Sequence, residues 1–302
     1  MSEEKQSRKK TFNWLLFIGT VIIVFAAGIF TATIMDRRAE KTVKFQMVEE
    51  IPEWEPRNEV WGRNFPREYE SYLKTLDTSF SSQHGGSGKI DYLQRYPELV
   101  ILWAGYGFSK EYNQGRGHAH AVNDIREILR TGGIEVSKMP ATCWTCKSTD
   151  VPRMMAKNGV AEFYKGTWFE KGDQIINPIG CQDCHNNETM DLEISRPALV
   201  EAMNRRGKNM EEFSHNEMRS LVCAQCHVEY YFKKDGNYLA FPWDNGFSVE
   251  DMEKYYDEID FVDWTHKLSK APMLKAQHPD YEIFTTGVHA ERGVSCVDCH
   301  MP

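Results

Sequence analysis

The chain has 302 residues, with 36 Lys and Arg against 44 Asp and Glu and a formal net charge of −8. That acidic balance argues against nucleic acid and against an anionic membrane surface as partners. At 41% hydrophobic residues, a chain of this length can build a core without disulfide staples, so its eight cysteines need another explanation.

Residues 1–12 are polar and basic, with Lys5, Arg8, Lys9 and Lys10, and are assigned to the cytoplasm. Trp14 to Met35 follows as one uncharged apolar run of 22 residues, closed by Asp36, Arg37 and Arg38 and long enough to cross a bilayer once. A signal peptide has a shorter apolar region, and no convincing small-residue cleavage site follows. A transmembrane anchor over 13–35 is therefore favoured over a cleaved signal. Basic residues on both sides make the positive-inside rule a weak guide to orientation. Residues 1–41 hold seven Lys/Arg and four Asp/Glu; without them 29 basic and 40 acidic residues remain, a net charge of −11. An anionic substrate would then need local positive charge at its own site.

Residues 36–64, rich in Glu, Pro and Trp without a clear period, read as a linker packing onto a domain over 65–302. Pro66 to Leu76 reads as a helix, with Pro near its start and Tyr69, Tyr72, Leu73 and Leu76 on one face. Ser81–Lys89 is a loop by composition, and His84 within it a solvated histidine. Ala121 to Arg130 predicts a helix with a stripe of Val122, Ile125, Ile128 and Leu129, stopped by Gly132 and Gly133. Ser195-Arg196-Pro197 opens another, through Met203 to Gly207. Ser248 and Asp251 form a capping-box pattern, although Asp replaces the preferred Glu or Gln. No alternation suggests a sheet of any size.

All eight cysteines lie in four Cys-x-x-Cys motifs, and a ligand-type residue follows each. Three are Cys181-Gln-Asp-Cys184-His185, Cys223-Ala-Gln-Cys226-His227 and Cys296-Val-Asp-Cys299-His300; the fourth is Cys143-Trp-Thr-Cys146-Lys147. This spacing reads as covalent haem c: two thioethers and an axial ligand from the next side chain. Structural zinc would pair the motifs and leave the histidines without a purpose, and a disulfide framework is a third reading. The motif intervals of 38, 42 and 73 residues are too uneven for a short-period repeat. The fold class expected is mainly α, one multihaem cytochrome c domain packed around its porphyrins behind one transmembrane helix. Haem c maturation occurs outside the cytoplasm, which puts the domain on the periplasmic side of the membrane.

Lysine in place of histidine singles out one haem. An amine ligates iron only when deprotonated, so burial and the metal must offset an ordinary pKa near ~10.4. A haem with histidine on both faces carries electrons but binds no substrate; the lysine haem is where a reaction is expected. The bland reading of Lys147 is a surface lysine beside a haem that takes its ligand elsewhere.

The chain resembles ammonia-forming cytochrome c nitrite reductase, a pentahaem family whose catalytic haem uses a C-x-x-C-K motif. The resemblance runs from Leu99 to Pro302. It is carried by LVILWAGYGFS, LRTG, CWTCKSTDVPR, CHVEYYF, FPWDNG, DWTHKLSKAPMLKAQHPDYE and CVDCHMP. It implies six-electron reduction of nitrite at the Lys147 haem, with bis-histidine haems relaying electrons. It also implies Arg130 as the nitrite-binding cation and Tyr230 and His278 as distal-pocket proton donors. Calcium would be held by Glu229, Gln277 and the carbonyls of Tyr230 and Lys275, and His118 and His289 would be distal ligands of the third and fifth haems. His120, His215 and His266 have no counterpart and are taken as surface or structural. The implied partners are nitrite, a membrane quinol-oxidising cytochrome c donor and a second copy in a homodimer. A fifth haem motif and a helical tail are expected beyond His300, leaving this chain the N-terminal part of such an enzyme. The alternatives are a multihaem electron-transfer cytochrome without catalysis, or a related reductase of hydroxylamine, tetrathionate or sulfite.

Overall fold

The computed structural model describes residues 2–42, 47–79, 81–82, 85–86, 88–126, 128–132 and 138–301. It divides into two compact units, Met1–Val48 and Glu49–Pro302. His84 and Gly133 lie outside the described residues.

The first unit is one helix, Ser2–Thr42. Its stretch Phe12–Arg38, 27 residues containing an 18-residue window with a mean hydropathy of 2.5, is long and apolar enough to span a membrane. The apolar run ends at Met35, but the helix continues through the charges after it, since nothing there breaks a backbone ladder. Thr20, Thr31 and Thr33 turn their hydroxyls back onto the carbonyls of Leu16, Ala27 and Ile29. That satisfies the hydroxyls within the helix itself.

The second unit is mainly helical and begins at Glu49, so residues 49–64, read above as linker, belong to it. Asn58–Asn64 is a helix, and Ile51, Val60 and Trp61 are buried core residues. Trp61 Nε1 donates to Glu55 O at 2.9 Å, and Asn58 Oδ1 accepts from the Cys181 amide at 3.0 Å. Aromatic and aliphatic spacing without a period hid a segment fastened by single anchors.

Pro66–Lys74 is a helix with Pro at its first turn, as expected. Its predicted face is not core: Leu73 and Leu76 are exposed, and Tyr72 reaches out to donate to Ile179 O at 3.0 Å. The helix expected over Ala121–Arg130 is corrected to a single turn, Asn123–Arg126, after a 3₁₀ turn at His118–His120. Val122 and Ile128 are buried while Leu129 is exposed, so the stripe does not run on. The Leu129 amide donates to Glu111 Oε2 at 2.5 Å, an alternative to the helical carbonyl four residues back. Pro197–Arg205 and Val249–Glu258 are helices where expected, and Ser248 and Asp251 exchange both capping-box bonds. Strands are confined, among the described residues, to two-residue antiparallel pairs. Tyr231–Phe232 pairs with Leu239–Ala240, Trp264–Thr265 with Pro272–Met273, and Ser81–Ser82 with Gly85–Gly86.

The main core surrounds the first cysteine motif. Trp144, inside that motif, lies fully buried and stacked on Trp168 at 3.3 Å and 9°, with Phe163, Tyr164, Leu199 and Trp243 in the same cluster.

Candidate functional site

Each motif is a tight turn that presents the residue after its second cysteine. In the three histidine motifs the ligand's amide closes on the first cysteine's carbonyl, four residues back: His185 to Cys181 at 3.0 Å, His227 to Cys223 at 2.9 Å and His300 to Cys296 at 3.1 Å. Lys147 instead closes on Trp144 O at 2.9 Å, only three residues back. The lysine turn is therefore wound more tightly than the others. Buried Asp150 fixes the chain just beyond it, accepting from the amides of Ile176 and Asn177 at 2.8 Å each. Ser148 Oγ donates to Asn177 O at 2.6 Å.

None of the eight cysteines pairs in a disulfide. Among the described residues no three His, Cys, Asp or Glu side chains converge as a metal site, so zinc gains no support here. Haem fits the donor set better. His185 engages Met190 O through Nδ1 at 3.0 Å, and His227 engages Asp280 Oδ2 through Nδ1 at 3.1 Å. Each contact fixes the ring and leaves Nε2 available to a metal, as such partners do for metal-bound histidine. The bond to Asp280 is the main reason His227 has a raised pKa, and Asp280 a lowered one.

Side chains from distant segments meet beside the Lys147 turn. The rings of His118 and His227 lie 6.2 Å apart, those of His227 and His278 6.0 Å, and those of His278 and Tyr230 5.4 Å. Two imidazoles sharing one metal through bonds of about 2 Å would have centroids roughly 6 Å apart. Arg130 lies over the Phe108 ring at 4.4 Å, and the Lys275 ammonium approaches the same ring at 5.0 Å. A Cβ on Gly107 would sit 2.7 Å from Arg130 Cγ, so a side chain there would displace the arginine.

Burial sets the electrostatics. It works against the Arg130 charge. It holds the Tyr230 phenol well above the usual range and pushes Tyr106 up to about 12, so both stay protonated donors at neutral pH. His278 is lowered to about 4 by burial and then by repulsion from Lys147, His227 and Lys275. Lys147 ligating as a neutral amine would remove its share of that repulsion, but burial, the larger cause, would remain. His278 is then a neutral imidazole at pH 7, and its Nδ1 is buried without a partner.

Glu229 and Gln277 also meet. Glu229 is buried, with Oε1 accepting from Tyr256 OH at 2.9 Å and Oε2 from the Gln277 amide at 2.5 Å. Burial nevertheless pushes its carboxyl up to about 7. The Lys275 ammonium donates to Gln277 Oε1 at 2.7 Å and to Gln277 O at 3.2 Å, and burial lowers it to about 8. Buried carboxylate, amide and carbonyl oxygens around a cation fit the chemistry of a hard divalent ion.

His289, on Val288–Glu291, is exposed and makes no ring contact with this cluster among the described residues. His120 is buried with Nε2 unbonded, whereas His266 is a half-buried loop brace that engages Ile101 O at 2.9 Å. Sequence reading missed Asp150, Asp280 and the buried pair Arg196 and Asp183. The one available signal was a polar residue at the second intervening position of all four motifs: Thr145, Asp183, Gln225 and Asp298.

The profile of the cytochrome c552 family matches residues 57–302. A cytochrome c-552 of Parabacteroides distasonis is 58% identical over 294 residues, covering 96% of this chain and 60% of that protein. One from Porphyromonas gingivalis is 54% identical, covering 100% of this chain and 62% of its own. A solved cytochrome c nitrite reductase from Desulfovibrio desulfuricans, the catalytic subunit NrfA described with two calcium sites, superposes with a TM-score of 0.77. It is 38% identical over 84% of this chain and 59% of its own. The chain thus spans about 60% of the length of these relatives.

Proposed function

This chain belongs to the cytochrome c552 family, and we propose that it reduces nitrite to ammonia by six electrons at a haem held by Cys143, Cys146 and Lys147. What supports the reading is that the Tyr230 and His278 rings lie 5.4 Å apart, with Arg130 close enough to Tyr230, and Lys147 to His278, to interact electrostatically. When bound, the haem supplies single electrons and a metal position for the nitrite nitrogen.

The chain's own groups do the rest. Arg130 binds the anion and compensates for an acidic domain; its surroundings exclude water, which strengthens that attraction. Tyr230 holds a phenol proton for a departing oxygen. His278, neutral, passes protons through its ring nitrogens. His185, His227 and His300 would hold the relay haems, and His118, 6.2 Å from His227, would supply a second imidazole to one of them. His289 is assigned the same role on resemblance alone. The Phe12–Arg38 helix anchors the protein on the periplasmic side, near a quinol-oxidising cytochrome donor, and a homodimer is expected. Steady-state turnover of the haem-loaded, full-length protein with reduced viologen tests this. Nitrite should be consumed with ammonium as product; a protein with every haem six-coordinate and no turnover would be an electron carrier.

Gly107→Ala should raise KM for nitrite by about tenfold, because the new methyl forces Arg130 aside and small misplacements of binding groups are costly. Saturation kinetics with unchanged haem content would check it.

Calcium is assigned to Glu229, Gln277 and the carbonyls of Tyr230 and Lys275, where it would brace the segments carrying Tyr230 and His278. Glu229 has a higher pKa in the fold, about 7 against 4.5, so the cation-free fold loses stability as pH rises between those values. A bound cation favours the ionised form and cancels that loss. Chelation should therefore lower Tm more at pH 8 than at pH 5.5, read by thermal melts with and without EGTA.

A further inference from the structure

The Arg196 side chain is fully buried, 0% exposed, between three of the four cysteine motifs. Its Nε donates to Thr145 O at 2.8 Å, in the first motif. One terminal nitrogen donates to Ser148 O at 3.0 Å and to Asp183 Oδ1 at 2.6 Å, in the second motif. The other donates to Ser195 Oγ at 2.6 Å. Its main-chain amide donates to Gln225 Oε1 at 3.1 Å, in the third motif, and Gln225 Nε2 donates onward to Asp183 O at 2.6 Å. Thr145, Asp183 and Gln225 hold the same place in their motifs, just before the second cysteine, and all three are buried. The fourth motif has Asp298 at that place, paired instead with a separate, partly exposed arginine, Arg219, at 2.5 Å.

From this geometry we infer that Arg196 is a positioning residue that holds the first three attachment loops in one mutual register and, with Asp183, sets the charge buried at their junction. Only a guanidinium suits the place. It carries five donors in a rigid fork and stays charged, whereas a lysine ammonium cannot meet the first two loops along fixed directions; the third is met by the main-chain amide. Burying an ion pair contributes little stability by itself, but removing one partner leaves a buried, uncompensated charge. Such a charge acts on any nearby redox centre. A net positive charge at the junction favours the reduced form of each haem, since burial and local charge are levers on haem potential. Arg196 touches neither substrate nor iron; it acts by fixing the spacing of the Lys147 turn to its two neighbours and the field they share.

The inference rests on haem attachment at these motifs, which mass spectrometry of the full-length wild-type protein tests separately. A wild type lacking haem there would fail that reading before any variant is compared. In haem-loaded protein, Asp183→Asn keeps the side-chain shape and removes the compensating charge. Redox titration should show the potentials of the haems on Cys143/Cys146, Cys181/Cys184 and Cys223/Cys226 moving positive together, with the haem on Cys296/Cys299 unmoved. Gln225→Met leaves no charge unpaired and is the variant to rely on should Asp183→Asn not accumulate. It should alter the EPR spin coupling among the first three haems without a common shift in potential. Unchanged potentials in Asp183→Asn overturn the charge role. Unchanged coupling in a fully haem-loaded Gln225→Met overturns the register role.

Discussion

Arg130→Gln is expected to lower kcat/KM for nitrite by about 10²–10³-fold, roughly 2.7–4 kcal/mol of transition-state stabilisation, with haem content unchanged. The domain outside residues 1–41 has 29 basic and 40 acidic residues, so its long-range field repels an anion. Attraction has to come from a cation at the site, and Arg130 is positioned for it by stacking on Phe108 and by the missing side chain at Gly107. Burial costs this charge some of its hydration. A bound anion would offset that cost. Steady-state kinetics and a nitrite titration followed by the haem spectrum check the prediction; a loss below tenfold in fully loaded protein would remove Arg130 from the role.

Lys147→His in the full-length protein should cut nitrite reduction by about ten- to a hundredfold while thioethers still form at Cys143 and Cys146. The turn itself gives a reason beyond ligand identity. Lys147 closes a three-residue hydrogen bond onto Trp144, and Trp144 is clamped against Trp168, so a histidine would enter a turn shorter than those that present His185, His227 and His300. Imidazole is also shorter than the four-carbon lysine stem. Absorption and EPR spectra would report the changed ligand, and turnover the consequence. Intact nitrite reduction in this variant would sink the role given to the lysine.

Much of the site was legible because its chemistry is local. Two cysteines and a ligand within five residues need no tertiary information, and neither does an apolar run of 22 residues. Ser248 capping its own helix through Asp251 is equally local. Failures came where a distant partner decided the outcome. The stripe from Val122 to Leu129 has helical spacing, yet Glu111 takes the Leu129 amide and the helix shrinks to one turn. Residues 49–64 have no period, yet Trp61 and Ile51 are core because single contacts to Glu55 and the second motif hold them there.

The sequence by itself determined how many Cys-x-x-Cys turns there are, which one carries lysine, and that the rest of the chain is mainly helical with an apolar helix before it. Only the tertiary structure decided which turns share a junction and which charges lie inside it. It brought Arg196 against Thr145, Asp183 and Gln225, and set Asp280 behind His227. Periodicity reports which face of an element is apolar, and motif spacing reports which residues can reach one atom. Neither carries the long-range hydrogen bonds of a buried guanidinium, whose partners here lie up to 51 residues away and are chosen only when the chain closes around them.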